Sequence, residues 1–224
     1  REFDFTGATM FRIILSLFLL LSVPAFSQNR IRLTVPTVSQ LSTRPPFTNE
    51  VIEILGYSEL GDWGTPKLFR WDSTNTLATN AIRIKAAPAI GRYVHEWDGD
   101  VRAFGALPFT TNGAAIQAAC DAAVSNRKTV YFPGDANGGI YYTDRTIVMT
   151  NLPNNRPLGG GVRGDGIGRS RLYHTGYNQP VLKLRGLGMI VDGMTIGYLN
   201  KQGVTNTSAG ALEFPGFNST FDIA

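Results

Sequence analysis

The sequence predicts an all-β chain of many short strands with one α-helix set among them. Two observations lead there. The 224 residues include 25 glycines and 12 prolines, punctuation too frequent for a helical bundle and suited to short strands joined by turns. Strand-like alternation of apolar and polar residues recurs along the chain, whereas a sustained helical stripe occurs at Asn112–Asn126. The length suits one medium domain, or a domain with a small module beside it.

Arg1–Thr9 carries no readable pattern and is taken as upstream sequence. From Met10 the chain reads MFRIILSLFLLLSVPAFSQ. Arg12 precedes an apolar core at Ile13–Leu21, and Ala25-Phe26-Ser27 makes a small-x-small cleavage site. This is the layout of a secretory signal peptide over residues 10–27, too short for a comfortable membrane span. It predicts cleavage after Ser27, no stable membrane span afterwards, and a secreted, periplasmic or cell-surface protein. Residues 28–48, polar and containing Pro45-Pro46, read as a linker or an extended lead-in.

Residues 49–100 read as a small β module with strands at Glu50–Leu55, Lys67–Trp71, Ala81–Ala86 and Gly91–Trp97, and a turn-rich loop at Gly56–Gly64. Trp63, Trp71 and Trp97 are expected to make its core; a sugar-stacking platform is the alternative. Val101–Gly105 reads as a short extended segment leading through a polar turn into the helix. There Ala115, Ile116, Ala119, Cys120, Ala123 and Val124 form one stripe, while Gln117, Asp121 and Ser125 fall on the wet face. Thr111 or Asn112 is the expected cap, and Asn126 with Arg127–Lys128 suits the negative end of the helix dipole. Six of the eleven residues from Ala114 to Val124 are alanine, so the helix can lie close against a backbone. Cys120, the lone cysteine, lies on the buried stripe as a small core residue. Thr129–Phe132 follows as a strand.

This stretch carries a resemblance. FGA (Phe104–Ala106), AAIQAACDAA (Ala114–Ala123) and TVYFPG (Thr129–Gly134), in that order, are similar to the opening of the pectate-lyase-like superfamily of right-handed parallel β-helix proteins. That group includes rhamnogalacturonases, epimerase-like proteins and many tailspikes. The turn departs from the family pattern, reading LPFTTNG at Leu107–Gly113 in place of an acidic, glycine-containing run. LGY…GD…FRWD…GRYVHEWDG, within the preceding module, resembles the short β module found before such β-helices. The resemblance implies the N-terminal part of a right-handed parallel β-helix over residues 101–224, with the alanine-rich helix as its cap. Physically, a stack of parallel strands ends in unpaired backbone and exposed core, and a cap covers both.

Beyond Pro133, strands are expected at Ile140–Thr143, Thr146–Thr150, Val181–Arg185, Met189–Val191, Met194–Ile196 and Ala211–Phe214, with a further strand inside the glycine-dense Leu158–Gly176, after the glycines of DGIGRSRLYH (Asp165–His174). Their spacing is uneven, so no fixed repeat supports a solenoid independently. Because superfamily members continue for many more coils, the chain is read as an N-terminal fragment.

Gly159-Gly160-Gly161-Val162-Arg163-Gly164 satisfies G-x-G-x-x-G, but no helix comes after it to receive a pyrophosphate, so a dinucleotide site is rejected. The glycines are assigned to tight turns between coils. Hydrolysis of a glycosidic bond needs two flanking carboxyl groups; β-elimination from a uronate needs a base and positive charge. Asp165, Asp192, Glu213 and Asp222 are scattered singly, and Asp135, Asp144 and Asp165 look like turn residues. Lys183 and Arg185 share an outward face, and His95 and His174 have no metal-ligand partner at short spacing. No catalytic, cofactor-binding or metal-binding residue can be assigned. The resemblance implies a carbohydrate-active protein, a polysaccharide lyase or glycoside hydrolase on acidic, pectin-like polysaccharide, with its catalytic coils outside this stretch and the stretch itself inactive. No cofactor is evident; calcium is compatible with the full-length protein. A non-catalytic, tailspike-like attachment protein, assembling as a homotrimer, is the alternative. Net charge of +4 without a Lys/Arg run argues against nucleic acid.

Overall fold

The computed structural model describes residues 33–87, 90–134, 138–150, 160–176, 179–186 and 188–199, and the backbone of 32 and 212–213. The expected signal peptide lies outside the described residues. Five strands make the first sheet: β1 (Arg32–Thr37), β2 (Val51–Gly56), β3 (Lys67–Asp72), β4 (Arg83–Lys85) and β5 (Arg92–His95), in the order β1-β2-β3-β5-β4. β1 runs parallel to β2 and the remaining pairs are antiparallel. Helix α1 (Val38–Thr43) joins β1 to β2 and buries Leu41. Ile52, Ile54, Trp63, Phe69, Ile84 and Tyr93 fill the core beneath this sheet.

The linker expected over residues 28–48 is therefore corrected from Arg32 onward. Leu33 and Val35 alternate with Thr34, a strand pattern that the nearby Thr, Ser and Pro residues mask. Pro36 is tolerated because β1 is an edge strand, where no ladder partner is lost. β4 and β5 are shorter than expected because Ile82 and Trp97 turn away from this sheet and join the second core.

That second core lies inside three stacked coils. Each contributes three strands: β6 (Thr129–Phe132), β7 (Gly139–Thr143) and β8 (Ile147–Thr150); β9 (Gly161–Gly164), β10 (Ser170–His174) and β11 (Leu182–Arg185); β12 (Ile190–Asp192), β13 (Thr195–Tyr198) and β14 (Leu212–Glu213). Each strand pairs with its counterpart one coil away, always in parallel, giving the sheets β6-β9-β12, β7-β10-β13 and β8-β11-β14. This is a parallel β-helix. Val130 pairs with Val162, Tyr141 with Leu172, and Ile147 with Leu182, and all six are fully buried.

Register explains the uneven strand spacing. Thr129, Gly161 and Ile190 align at steps of 32 and 29 residues, whereas Tyr141, Leu172 and Ile196 align at 31 and 24. Coil length varies because turns absorb different numbers of residues, so the coils repeat in space without repeating in sequence. The assignment of Gly159–Gly164 to turns is corrected in part: Gly161–Gly164 is β9 itself. Gly161 sits at φ +126°, and a Cβ there would lie 1.9 Å from the Ile190 carbonyl oxygen of the next coil, a close approach only glycine permits. From β9 the chain turns directly into β10, with no helix between them.

Helix α2 (Gly113–Asn126) closes the coil at β8. Beneath β6 and β7 the chain forms a vestigial turn of the helix, where Asp100 bridges Tyr131 and Thr111 bridges Tyr142 in parallel. Beneath β8 that role passes to Gln117. Its amide nitrogen donates to the Val148 carbonyl at 2.7 Å, and its oxygen accepts the Val148 N–H at 2.8 Å. One side chain thus supplies both hydrogen bonds that a missing strand would make. Gln117 keeps the face it shares with Asp121, whose carboxylate also accepts its amide N–H at 2.8 Å, and is half-buried there, while Asp121 and Ser125 stay exposed. Ile116, Ala119, Cys120 and Ala123 are fully buried, and burial pushes the Cys120 thiol up.

Two local expectations change. Val101–Phe104 is a 3₁₀ turn, not extended chain, because the Asp100 carboxylate accepts the Arg102 N–H and Gly105 closes the turn at φ +86°. Asn112 is the N-cap residue but makes no capping bond with its side chain, which donates instead to Leu107 O and Thr110 O. At the other end Arg127 adopts the left-handed conformation, and Lys128 reaches the Trp97 carbonyl.

Candidate functional site

In a stack of parallel strands, outward residues in register form columns that run along the helix axis, one residue per coil every ~4.8 Å. The middle sheet carries the most suggestive pair of columns. One contains Tyr142, Tyr173 and Gly197; the other contains Ile140, Arg171 and Thr195. All six are half-buried, on the face opposite the fully buried Tyr141 and Leu172. Phe109, 52% exposed, donates its backbone N–H to the Ile140 carbonyl at 2.6 Å, so an apolar ring flanks the lower end of this face.

Tyr173 is placed by the residue it lacks as a neighbour. A Cβ on Gly197 would lie 3.3 and 3.4 Å from two carbons of the Tyr173 ring. The ring therefore occupies the space a side chain at 197 would take and lies along the sheet surface. Arg171 is steered by its Nε, which donates to the Gly168 carbonyl at 2.7 Å, while the Gly168 N–H donates to Thr195 Oγ1 at 3.1 Å. The face joins a surface-hugging aromatic ring to a guanidinium two residues away.

The adjoining sheet presents a second polar group. The Arg163 guanidinium lies 4.9 Å from the centre of the Tyr131 ring. The Tyr131 hydroxyl donates to Asp165 at 2.6 Å, and the Gly134 N–H donates to the other carboxylate oxygen at 2.7 Å. Burial raises the Asp165 pKa, but those two hydrogen bonds and the charges of Arg169 and Arg163 outweigh it and hold the carboxyl below its usual range. Burial and the bond to Asp165 push the Tyr131 phenol up to about 12. At neutral pH this pair is a protonated phenol on an ionised carboxylate, a staple between coils rather than a proton donor and base poised for transfer.

The residues singled out from sequence fall mostly into structural roles. Trp63 and Trp97 are buried core residues, and Trp71 packs edge-on against Tyr93, so none forms a sugar platform. His95 Nδ1 lies 2.8 Å from the Leu68 carbonyl. His174, inside the coil, accepts the Gly176 N–H at Nδ1, with Nε2 2.9 Å from the Gln179 amide. Asp144 is exposed and paired with Arg145 at 3.2 Å. Asp192 is exposed and in register with Arg163. Lys183 and Arg185 share the outward side of β11, as expected. Asp135 and Asp222 lie outside the described residues, as does the side chain of Glu213. The four described carboxylates with a clearly shifted pKa, Asp72, Asp98, Asp144 and Asp165, are all held low. Among the described residues no three His, Cys, Asp or Glu side chains gather closely enough to hold a metal ion.

Sequence reasoning passed over Tyr142, Tyr173 and Arg171. The available signal was alternation within GIYYT and SRLYH, which puts Tyr142, Arg171 and Tyr173 opposite Tyr141 and Leu172.

No protein-family model matches the chain, and no curated protein matches it in sequence. Solved structures do match. The tailspike protein of Acinetobacter phage vB_ApiP_P1 superposes with a TM-score of 0.57 at 18% identity, over 75% of this chain and 29% of that one. Tailspike gp49 of Acinetobacter baumannii bacteriophage Fri1, named a capsular polysaccharide depolymerase, gives 0.60 at 14% identity, over 81% and 35%. The enzymatically active domain of bacteriophage CBA120 tailspike protein 2 gives 0.58 at 14% identity, over 95% and 30%. The chain has a tailspike-like parallel β-helix fold. It spans about a third of the length of these structures. None of the described helices is long and apolar enough to cross a membrane.

Proposed function

We propose that this tailspike-like β-helix is carbohydrate-active and holds an acidic polysaccharide against the outward face of β7, β10 and β13. Tyr173, laid over Gly197 beside Arg171, carries the reading. A ring lying along the surface offers its face to the C–H side of a sugar ring, and the guanidinium suits a uronate carboxylate. The fold shared with a tailspike named a capsular polysaccharide depolymerase supports the same class of ligand, by analogy of fold. In this reading the protein is exported, and bond cleavage, by β-elimination or hydrolysis, belongs to further coils of a longer protein.

The test is affinity electrophoresis of the full-length protein through gels containing polygalacturonate or dextran. Polygalacturonate should retard it, and Tyr173→Ala should weaken that retardation about tenfold, equivalent to ~1.4 kcal/mol. Equal retardation by dextran, or an unaffected Tyr173→Ala variant, rejects the assignment. Incubation with the polymer then separates the chemistries: unsaturated ends mark elimination, and new reducing ends without unsaturation mark hydrolysis. A second reading, a non-catalytic attachment protein, draws on the fold shared with phage tailspike proteins. Binding without any product on a panel of acidic polymers favours it.

A further inference from the structure

The five-stranded sheet buries one face in its core; on the other, Arg70 and Lys85 are exposed while Val51, Arg83 and Val94 are half-buried. Across that second face runs one row of register partners: Val51 on β2, Arg70 on β3, Val94 on β5 and Arg83 on β4. The backbone register extends this row to Arg32 on β1. Cationic and apolar residues thus alternate strand by strand, so that Arg70 and Arg83 stand two strand spacings, ~10 Å, apart. Lys85 lies two residues from Arg83 on the same face, since Ile84 between them is buried.

The side chains of Arg70, Arg83 and Lys85 make no hydrogen bond or ion pair with the described residues, and the Arg83 Nε is buried without a hydrogen-bond partner. Arg92, in the adjacent row, is different: its guanidinium is tied to the carbonyls of Leu77, Ile90 and Gly91. Two acids share the face. Asp72 spends its carboxylate on the N–H and hydroxyl of Thr74, and Glu53 sits in register with Leu68 outside the Arg-Val row. The row keeps an excess of uncompensated positive charge, interrupted by the apolar surface of Val51 and Val94.

We propose that this face is a second glycan-binding surface, for an acidic polysaccharide in which charged sugars alternate with uncharged ones. A carboxylate on every second sugar recurs at the span of one disaccharide, close to the Arg70–Arg83 interval. The intervening neutral sugar would then lie over valine rather than over a charge. Complementary charge sets the register and a wrong pattern costs affinity. The ligand class rests on the proposal for the β-helix face, but the two surfaces share no residue and fail separately.

The probes are hyaluronan, with one carboxylate per disaccharide, dextran, with none, and a short DNA duplex. The full-length protein, wild type and Arg70→Glu/Arg83→Glu, is run by affinity electrophoresis at low salt, with thermal unfolding to check the fold. Arg70→Gln, at an exposed position, serves if the double variant does not fold. The expected result is hyaluronan retardation well above dextran, weakened at least about tenfold by the double charge reversal. Retardation that survives the reversal, equal retardation by dextran, or retention by DNA alone overturns the proposal. Loss in the double variant with Tyr173→Ala unaffected leaves this surface standing and removes the β-helix face; the opposite pattern does the reverse.

Discussion

The five-stranded sheet and the coils above it bury apolar faces of similar chemistry but deal with their edges differently. In the sheet, aromatic side chains and a short helix fill one side, and β1 and β4 remain as edges. In the coil, the middle strands β9, β10 and β11 are paired above and below by their counterparts, and the first turn carries a lid. There the molecule supplies two single-residue bridges, Asp100 and Thr111, and one glutamine side chain on an alanine-rich helix. An ordinary sheet tolerates solvent at its edge, whereas an open-ended coil would expose core as well as backbone.

The two regions belong to one compact unit, and a charged seam stitches them. Lys67 of β3 donates to Asp100 at 3.0 Å, Arg102 donates to both oxygens of the same carboxylate, and the Trp63 indole N–H donates to the Arg102 carbonyl at 2.7 Å. Lys67 and Asp100 are almost wholly buried.

Breaking that seam should have the largest effect. Asp100→Ala leaves the buried Lys67 ammonium with only the longer 3.4 Å contact to the exposed Asp98 carboxylate, and should cost up to about 3–5 kcal/mol, splitting a single urea transition into two. A single transition moved by less than ~1 kcal/mol would mean that this seam is not what couples the two regions. Next come Ile116→Ala in the cap and Ile54→Ala in the sheet, each a cavity expected to cost ~2–4 kcal/mol. Hydrogen exchange should rise in β6–β8 for the first variant and in β2–β3 for the second. If both variants loosen the same amides, the division into two cores fails.

Gln117→Leu should cost ~1–3 kcal/mol by stranding the Val148 N–H and C=O. Its signature is faster exchange at the Val148 amide with β2 and β3 unchanged; unchanged Val148 exchange would show that water or another group satisfies the edge. The smallest effect concerns pH. Burial lowers the pKa of both His174, in the coil, and His95, in the sheet, so each stays neutral when folded after its unfolded counterpart has taken up a proton. Their contribution is present above the unfolded pKa of ~6.5 and is lost as pH falls through the lower folded value. His174→Asn should flatten the coil's loss of stability in that acid range and leave the sheet's unchanged. An unaltered slope would assign the acid sensitivity elsewhere.

Much of the architecture was legible. Alternation located β2, β3, β7, β8 and β11 to within a few residues, and the alanine stripe located α2, because burial on one side imposes a period that composition preserves. β1 was hidden because its alternation is short and sits among Thr, Ser and Pro. The 3₁₀ turn at Val101–Phe104 was hidden because the Asp100 carboxylate, not local propensity, decides it. The candidate face was the least legible feature. Tyr142 and Tyr173 are register partners on neighbouring coils, and nothing local to either says that they share a column.

By itself the sequence determined an all-β chain with one capping helix, since period, glycine content and turn chemistry are local properties written residue by residue. Which strand stacks on which was decided only in three dimensions, because turns of unequal length carry the chain from one coil to the next. The exposed surfaces depend wholly on that step: Tyr173 gained its posture from Gly197, and Arg70 its spacing from Arg83, through register that no neighbouring residue encodes.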